Sequence, residues 1–454
     1  MTVEKHYGII PNEHKYVLVL SFRLEADTLN TKEIAKNVFV NTVATDKFKS
    51  DFIRIAFVMP LSKEKAAANA LVPYVLKRGT EKYPDIGAIR RQLESLYDSG
   101  IWANIGKRGD TQIININAGM LANKYSMDGT DITGGMLEMI SQMLFHPVLE
   151  SGTFRSEYVE SEKAKLADAV RADANNKIAY ANRRVREEMY RGEAYAESEK
   201  GSAETISALT PERVYAAYLD LLANARIEIS AVGNMDFDKV TAAFEAMFAG
   251  VCRGAGYDLK TEVVREPKGE PKTVYEHQNI GQGKLALGFR AGCCREDDDF
   301  LVMQMVSVIF GGSTSSKLFM NVRERLSLCY YCSAGYDAVK GAIFVNSGIE
   351  FAKKKQAISE IIAQLESVKR GEISDTEISD AKNTLINSLR SITDKTSQIA
   401  GWCFECAICG TSETPEERMA KINAITKEQI VARAQSIKLD TIYFLCGTEV
   451  AEDE

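Results

Sequence analysis

The sequence predicts an α+β fold made of two duplicated halves, each an antiparallel sheet packed with helices. Three observations support this. The chain has 454 residues, too many for one ordinary core. Strand-like and helix-like segments come in runs instead of strict alternation. One passage is also written twice. Ala208-Leu-Thr-Pro-Glu-Arg-Val214 and Ala424-Ile-Thr-Lys-Glu-Gln-Ile430 each place a threonine cap before a helix. Each helix then leads into an apolar strand ending in glycine, Arg226-Ile-Glu-Ile-Ser-Ala-Val-Gly233 and Thr441-Ile-Tyr-Phe-Leu-Cys-Gly447. The offset is roughly half the chain, the mark of an internal repeat.

The elements follow in order. The short apolar run 16–24 is broken by Ser21 and Arg23, far below a membrane span and without a signal-peptide layout. Residues before Lys36 have no counterpart in the second half and predict an added strand or extension. Residues 51–59 and 111–119 read as strands, and 85–96 reads as a helix. The helix 136–145 stops at His146-Pro147. A long helical stretch covers 153–190. Thr210 and Thr426 cap the repeated helices. Pro211 sits at a first helical position, and Thr426 with Gln429 forms a capping box. Residues 251–272, rich in glycine, proline and charge, read as a linker between domains at 1–250 and 273–454. In the second half 284–290, 329–336 and 342–348 read as strands. There 300–310, 351–369 and 375–390 read as helices, and a further helical pattern runs from Ile392 to Cys409.

Composition narrows the function classes. The chain is 45% hydrophobic and 26% charged, with a net charge of −7, which argues against a nucleic-acid binder. No segment calls for a membrane partner, and a cytoplasmic protein is expected. All nine cysteines lie after residue 250, with no disulfide spacing, so reduced thiols are expected. Only four histidines occur, His6, His14, His146 and His277, and none is three or four residues from another. A catalytic zinc site ordinarily draws such a pair from one helix.

Two segments carry a family resemblance. Leu71-Val-Pro-Tyr-Val-Leu-Lys-Arg-Gly-Thr-Glu-Lys-Tyr-Pro84 resembles the active-site helix of the insulinase and pitrilysin-like inverted-zincin peptidases. There a His-x-x-Glu-His helix runs into a Gly-Thr turn and then Tyr-Pro. Phe310-Gly-Gly-Ser-Thr-Ser-Ser-Lys-Leu-Phe-Met-Asn-Val-Arg-Glu-Arg-Leu-Ser-Leu-Cys-Tyr330 resembles the family's second-domain signature. Together with Lys47-Phe-Lys49, Leu96-Tyr97 and Lys107-Arg-Gly109, these segments are similar to the zinc-less YmfF-type branch. The resemblance implies a clamshell of two halves. It also marks the departure. Ala70 and Tyr74 fall where the family has its two histidine ligands, Pro73 where it has the general base, and Ala169, beside Asp168, where it has a glutamate ligand. The chain is expected to hold no metal, no cofactor and no catalytic residue of its own, and to be inactive alone.

The resemblance further implies that Arg323 and Tyr330 bind substrate. A guanidinium can grip peptide carbonyls, and a phenol can hydrogen-bond a carbonyl oxygen. The plainer account is a helix-surface arginine and a strand-end core tyrosine. The expected function is a non-catalytic subunit of a heteromeric zinc peptidase, giving Arg323, Tyr330 and half of a chamber to a zinc-bearing paralogue that acts on a peptide or small protein. The alternatives are a non-enzymatic assembly or interaction protein reusing the fold, and a cysteine-ligated metal protein built on Cys403, Cys406 and Cys409 with Cys329 and Cys332. Against the last, Cys403, Cys406 and Cys409 fall on one helix face as small apolar residues. Strand alternation sends Cys329 and Cys332 to opposite faces. Gly311-Gly312 reads as a packing turn, since no Gly-Lys-Ser/Thr follows. The acidic run 296–299 reads as a solvated helix N-terminus, and His277 as exposed.

Overall fold

The structure, a computed structural model, describes residues 29–448. The apolar run 16–24, His6 and His14 lie outside them. The first half begins with β1 (Leu29–Ala35), β2 (Val38–Ala44) and β3 (Ser50–Pro60), then α1 (Ala66–Leu76) and α2 (Ile86–Ser95). The hairpin β4 (Gly100–Arg108) and β5 (Thr111–Leu121) leads to α3 (Ile132–Phe145). A small hairpin, β6 (Leu149–Glu150) and β7 (Thr153–Phe154), precedes α4 (Ser156–Asn175), α5 (Lys177–Met189) and α6 (Ala203–Ser207). The half closes with α7 (Pro211–Asn224), β8 (Arg226–Gly233) and α8 (Phe237–Phe248).

The second half runs β9 (Lys272–His277), β10 (Gly283–Arg290), α9 (Phe300–Ser307), β11 (Cys329–Asp337) and β12 (Ala342–Ile349). Between α9 and β11 lie two π-helical segments, Val308–Gly312 and Leu318–Arg325. It ends with α10 (Lys354–Lys369), α11 (Asp375–Arg390), α12 (Thr396–Cys409), α13 (Pro415–Ala424), α14 (Lys427–Ala434) and β13 (Lys438–Cys446). Among the described residues no helix is long and apolar enough to cross a membrane.

The two sheets share one plan. The first has the order β1-β2-β8-β3-β5-β4, and the second, read backwards, β9-β13-β10-β12-β11. Strand β1 is the extra strand expected before Lys36. β8 and β13 hold equivalent places, and the helices before them are capped alike, by Thr210 on Arg213 N and by Thr426 on Gln429 N. The sheets are not wholly antiparallel. β2 with β8, and β9 with β13, pair in parallel, because the helical passages before β8 and β13 return the chain in the same direction.

The predicted helix 153–190 is two helices. Asn176 ends one and caps the next through Ala179 N at 3.2 Å, which fits asparagine's preference for caps over helix interiors. The break redirects α5. It leaves the first core and lies on the second sheet, where Ala181, Val185, Met189 and Tyr190 bury against Ala286, Phe344, Tyr443 and Leu445. The second half reciprocates. From α12, Ile399, Ala400 and Cys403 pack on Val43, Phe52 and Val232 of the first sheet. Strand β3 shows why this suits the sequence. Ile53, Ile55 and Phe57 face the first half's own core, while Phe52, Ala56 and Val58 face α12. Its near-continuous apolar run serves two buried faces.

Residues 251–271 form no helix or strand, yet they are tied down. They pass between the tips of the β4–β5 and β11–β12 hairpins. There Lys340, fully buried, donates to Asp110 at 3.1 Å, to Glu193 at 3.1 Å and to the carbonyl of Glu262. Glu262 N donates in turn to Asp110 at 2.8 Å.

Candidate functional site

Helix α1 carries Ala70, Pro73 and Tyr74, the positions expected to hold no metal. It runs through Pro73 to Leu76 with Ala70 and Pro73 buried and Tyr74 half-buried. Burial raises the Tyr74 phenol above its ordinary value, Lys200 opposes this, and Glu162 adds to it. The phenol therefore stays neutral. Burial also lowers the nearby Lys77 ammonium, against Glu162. Glu162 on α4 is a carboxylate buried beside α1, and it is already neutralised by Arg78 at 3.2 Å and Lys165 at 2.7 Å. Glu162 was not among the residues the sequence pointed to. Its signal was a charge on the stripe otherwise made by Tyr158, Val159 and Leu166. Ala169 lies exposed, and Asp168 pairs with Arg171 at the surface.

The turn after α1 persists for packing reasons. A side chain at Gly79 would sit 2.5 Å from the carbonyl oxygen of Pro84. Thr80, fully buried, accepts from Tyr83 N at 2.9 Å, bonds back through its own N–H to Tyr83 O at 2.8 Å, and bridges to Pro147. The Gly-Thr and Tyr-Pro pairs thus form one closed loop that needs no metal.

Arg323 and Tyr330 are both accessible. The Arg323 side chain is 40% exposed on the second π-helical segment, 4.6 Å above the Phe319 ring, with Glu324 at 3.5 Å. Tyr330 is 68% exposed, so it is no core tyrosine. It lines a cleft of about 430 Å³ with Gln282, Lys284, Tyr331, Glu350 and, from the first half, Ile178. Arg323 is not among the lining residues. The exposure of Tyr330 has a backbone cause. Cys329 pairs with Ile349 and Tyr331 with Gly348, so Tyr330 is the extra residue of a β-bulge.

That bulge corrects the expectation for the cysteines beside it. Cys332 pairs with Ser347, two residues from Ile349, so Cys329 and Cys332 share a face instead of pointing apart. Alternation fails because one residue is looped out between them. The other run behaves as expected from its helix. Cys403 and Cys406 are buried on α12, with thiols pushed up by burial to about 12 and about 11. Cys409 instead accepts from Arg108 at 3.0 Å. Among the described residues no three His, Cys, Asp or Glu side chains converge to hold a metal.

Gly311 is a packing turn, since a side chain there would meet Ala334 N at 2.6 Å. The acidic run is solvated at Glu296 and Asp298 and paired at the other two positions. Asp297 binds Arg265 at 2.6 and 2.9 Å, and Asp299 binds Arg433 at 2.9 Å. His146 caps α3, and His277 is exposed.

A family model described as the peptidase M16 inactive domain matches residues 208–385. A Bacillus subtilis (strain 168) protein described as a probable inactive metalloprotease, YmfF, is 32% identical over 409 residues, spanning 90% of this chain and 96% of that one. The chain belongs to the M16 metallopeptidase family. Within M16 it stands with the zinc-less YmfF-type branch. Solved structures agree on the M16 fold. A conserved protein from Enterococcus faecalis V583 gives a TM-score of 0.86 at 22% identity, covering 94% of this chain and 100% of that chain. A peptidase M16 inactive domain from Pseudomonas fluorescens gives 0.76 at 18%, covering 93% and 99%.

The zinc that M16 implies does not fit the residues present. Alanine and proline offer no donor, the Tyr74 phenol is held neutral, and the buried carboxylate of Glu162 is already paired. Nearby Lys77 and Lys200 would also repel a dication.

Proposed function

We propose that this M16 homologue is the non-catalytic subunit of a heteromeric zinc peptidase. It lends Arg323, Tyr330 and half of a chamber to a zinc-bearing paralogue that cleaves peptides or small proteins. The observation that carries this reading is a contrast between the halves. The metal positions of the first half are filled with residues that offer zinc no free donor, buried Ala70 and Pro73, half-buried Tyr74 and exposed Ala169, while Arg323 and Tyr330 in the second half stay exposed. An exposed phenol in a cleft and an exposed guanidinium on the preceding π-helical segment suit main-chain carbonyls of an extended peptide. Nine cysteines with no disulfide suit a reducing, cytoplasmic setting.

The test is reconstitution with the zinc-bearing paralogue from the native host, followed by a peptidase assay. The chain alone is expected to be zinc-free and inactive. In the pair, Arg323→Ala should lower turnover at least about tenfold, the scale of one lost charge-assisted contact of roughly 1.5–3 kcal/mol. Tyr330→Phe removes only the hydroxyl and separates hydrogen bonding from packing. A pair whose turnover ignores both changes would leave the assembly-protein reading ahead.

A further inference from the structure

The Tyr330 bulge does more than expose a phenol. It brings two thiols together. Cys329 stands opposite Ile349 and Cys332 opposite Ser347, so the two thiols are neighbours on the core-facing side of the strand. The Ser347 hydroxyl beside them donates to the carbonyl of Tyr331 at 3.0 Å. The two cysteines are not equivalent. Cys332 is 3% exposed within the second core, whereas Cys329 is half-buried at its margin, toward Arg323.

Their chemistry diverges accordingly. The neighbouring Cys332 thiol pulls the Cys329 thiol down, to about 7; burial opposes this, and the Arg323 guanidinium assists. Cys332 moves the other way, through the same pairing and through burial. Elsewhere burial pushes thiols up, as at Cys293, Cys403 and Cys406. A partly accessible thiolate beside a protonated, buried thiol is the arrangement of an attacking and a resolving cysteine.

We propose that Cys329 and Cys332 are a reversible oxidation site, at which a peroxide drives formation of an intrastrand disulfide across the Tyr330 bulge. The Cys329 thiolate attacks one oxygen of hydrogen peroxide. An S–O bond forms, the O–O bond breaks, and hydroxide leaves and takes up a proton as water. The Cys332 sulfur then attacks the Cys329 sulfenic acid. The S–S bond forms, the S–O bond breaks, and the leaving hydroxide takes the Cys332 proton as a second water. Two electrons pass from two thiols to one peroxide, and a dithiol reductant reverses the change. The new bond pins both ends of the bulge and so fixes where Tyr330 projects.

The test is peptide mapping of the full chain after titration with hydrogen peroxide at pH 7, with thiols blocked before digestion. The expected result is a Cys329–Cys332 disulfide as the first product, forming at least about tenfold faster than any change at the exposed Cys252, and lost on treatment with dithiothreitol. Dimedone present during the titration of the unaltered chain should trap part of Cys329 as its sulfenic acid before it pairs, and Cys332→Ala should abolish the disulfide. If Cys329 and Cys332 react no faster than Cys252, or if Cys329 oxidises without pairing to Cys332, the proposal is overturned. The mapping needs no variant and no peptide, so its outcome is independent of whether Arg323 and Tyr330 hold substrate.

Discussion

Lys340 is the most committed single residue in the molecule. It belongs to the second half, yet its partners are Asp110 and Glu193 of the first half and the Glu262 carbonyl between them. Tyr190 and Tyr195 lie 5.0 and 5.4 Å from its ammonium. Lys340→Met keeps the stem and removes the charge, leaving two mostly buried carboxylates facing each other. The expected cost is about 3 kcal/mol, read from urea unfolding, and a loss under about 1 kcal/mol would sink the account. Asp297 offers a check by pH. Hydrogen bonds from Arg265 hold its carboxyl at about 2, below the ordinary 3.8, with burial opposing. A depressed folded value means the pair's stabilisation is complete above about pH 4 and fades as pH falls toward 2. The difference in stability between wild type and Arg265→Ala should shrink over that window; a constant difference would deny the pair any role. Neither residue was legible in the sequence. A lysine in a hairpin turn and an aspartate in an acidic run look solvated until distant segments close on them.

At the scale of elements, short-range chemistry was readable and long-range chemistry was not. The caps at Thr210 and Thr426 were visible because threonine, proline and glutamine at fixed offsets act locally. Each threonine to alanine change should cost about 1 kcal/mol in thermal or urea unfolding. Unequal losses, with one near zero, would mean the two helices are not equivalent parts of their halves. The Asn175-Asn176 break could have been read from cap preference, but an otherwise helical periodicity on both sides masked it. The Tyr330 bulge could not be read at all. Bulges arise from register against a partner strand, here β12, and nothing in a Cys-Tyr-Tyr-Cys string announces which residue will be looped out. The metal positions on α1 were legible because they are absences of donor atoms. Glu162, paired with Arg78 and Lys165, came only with the packing of α4 on α1.

For the whole molecule, the duplicated plan was legible and the exchange of helices was not. Each half sends one helix, α5 or α12, to cover the other's sheet. A chain cut within the exposed stretch 268–271 should therefore keep both pieces together. Co-expressed fragments 1–269 and 270–454 are expected to copurify as a folded pair, while either alone aggregates, because each would expose an apolar sheet face. A soluble, cooperatively unfolding single fragment would contradict this.

The helix exchange also limits how the two halves can move. With α5 laid on the second sheet and α12 on the first, neither half can swing away from the other without carrying its exchanged helix along or stripping it from the sheet it covers. Stripping it would cost roughly 25 cal/mol for each Å² of apolar surface uncovered.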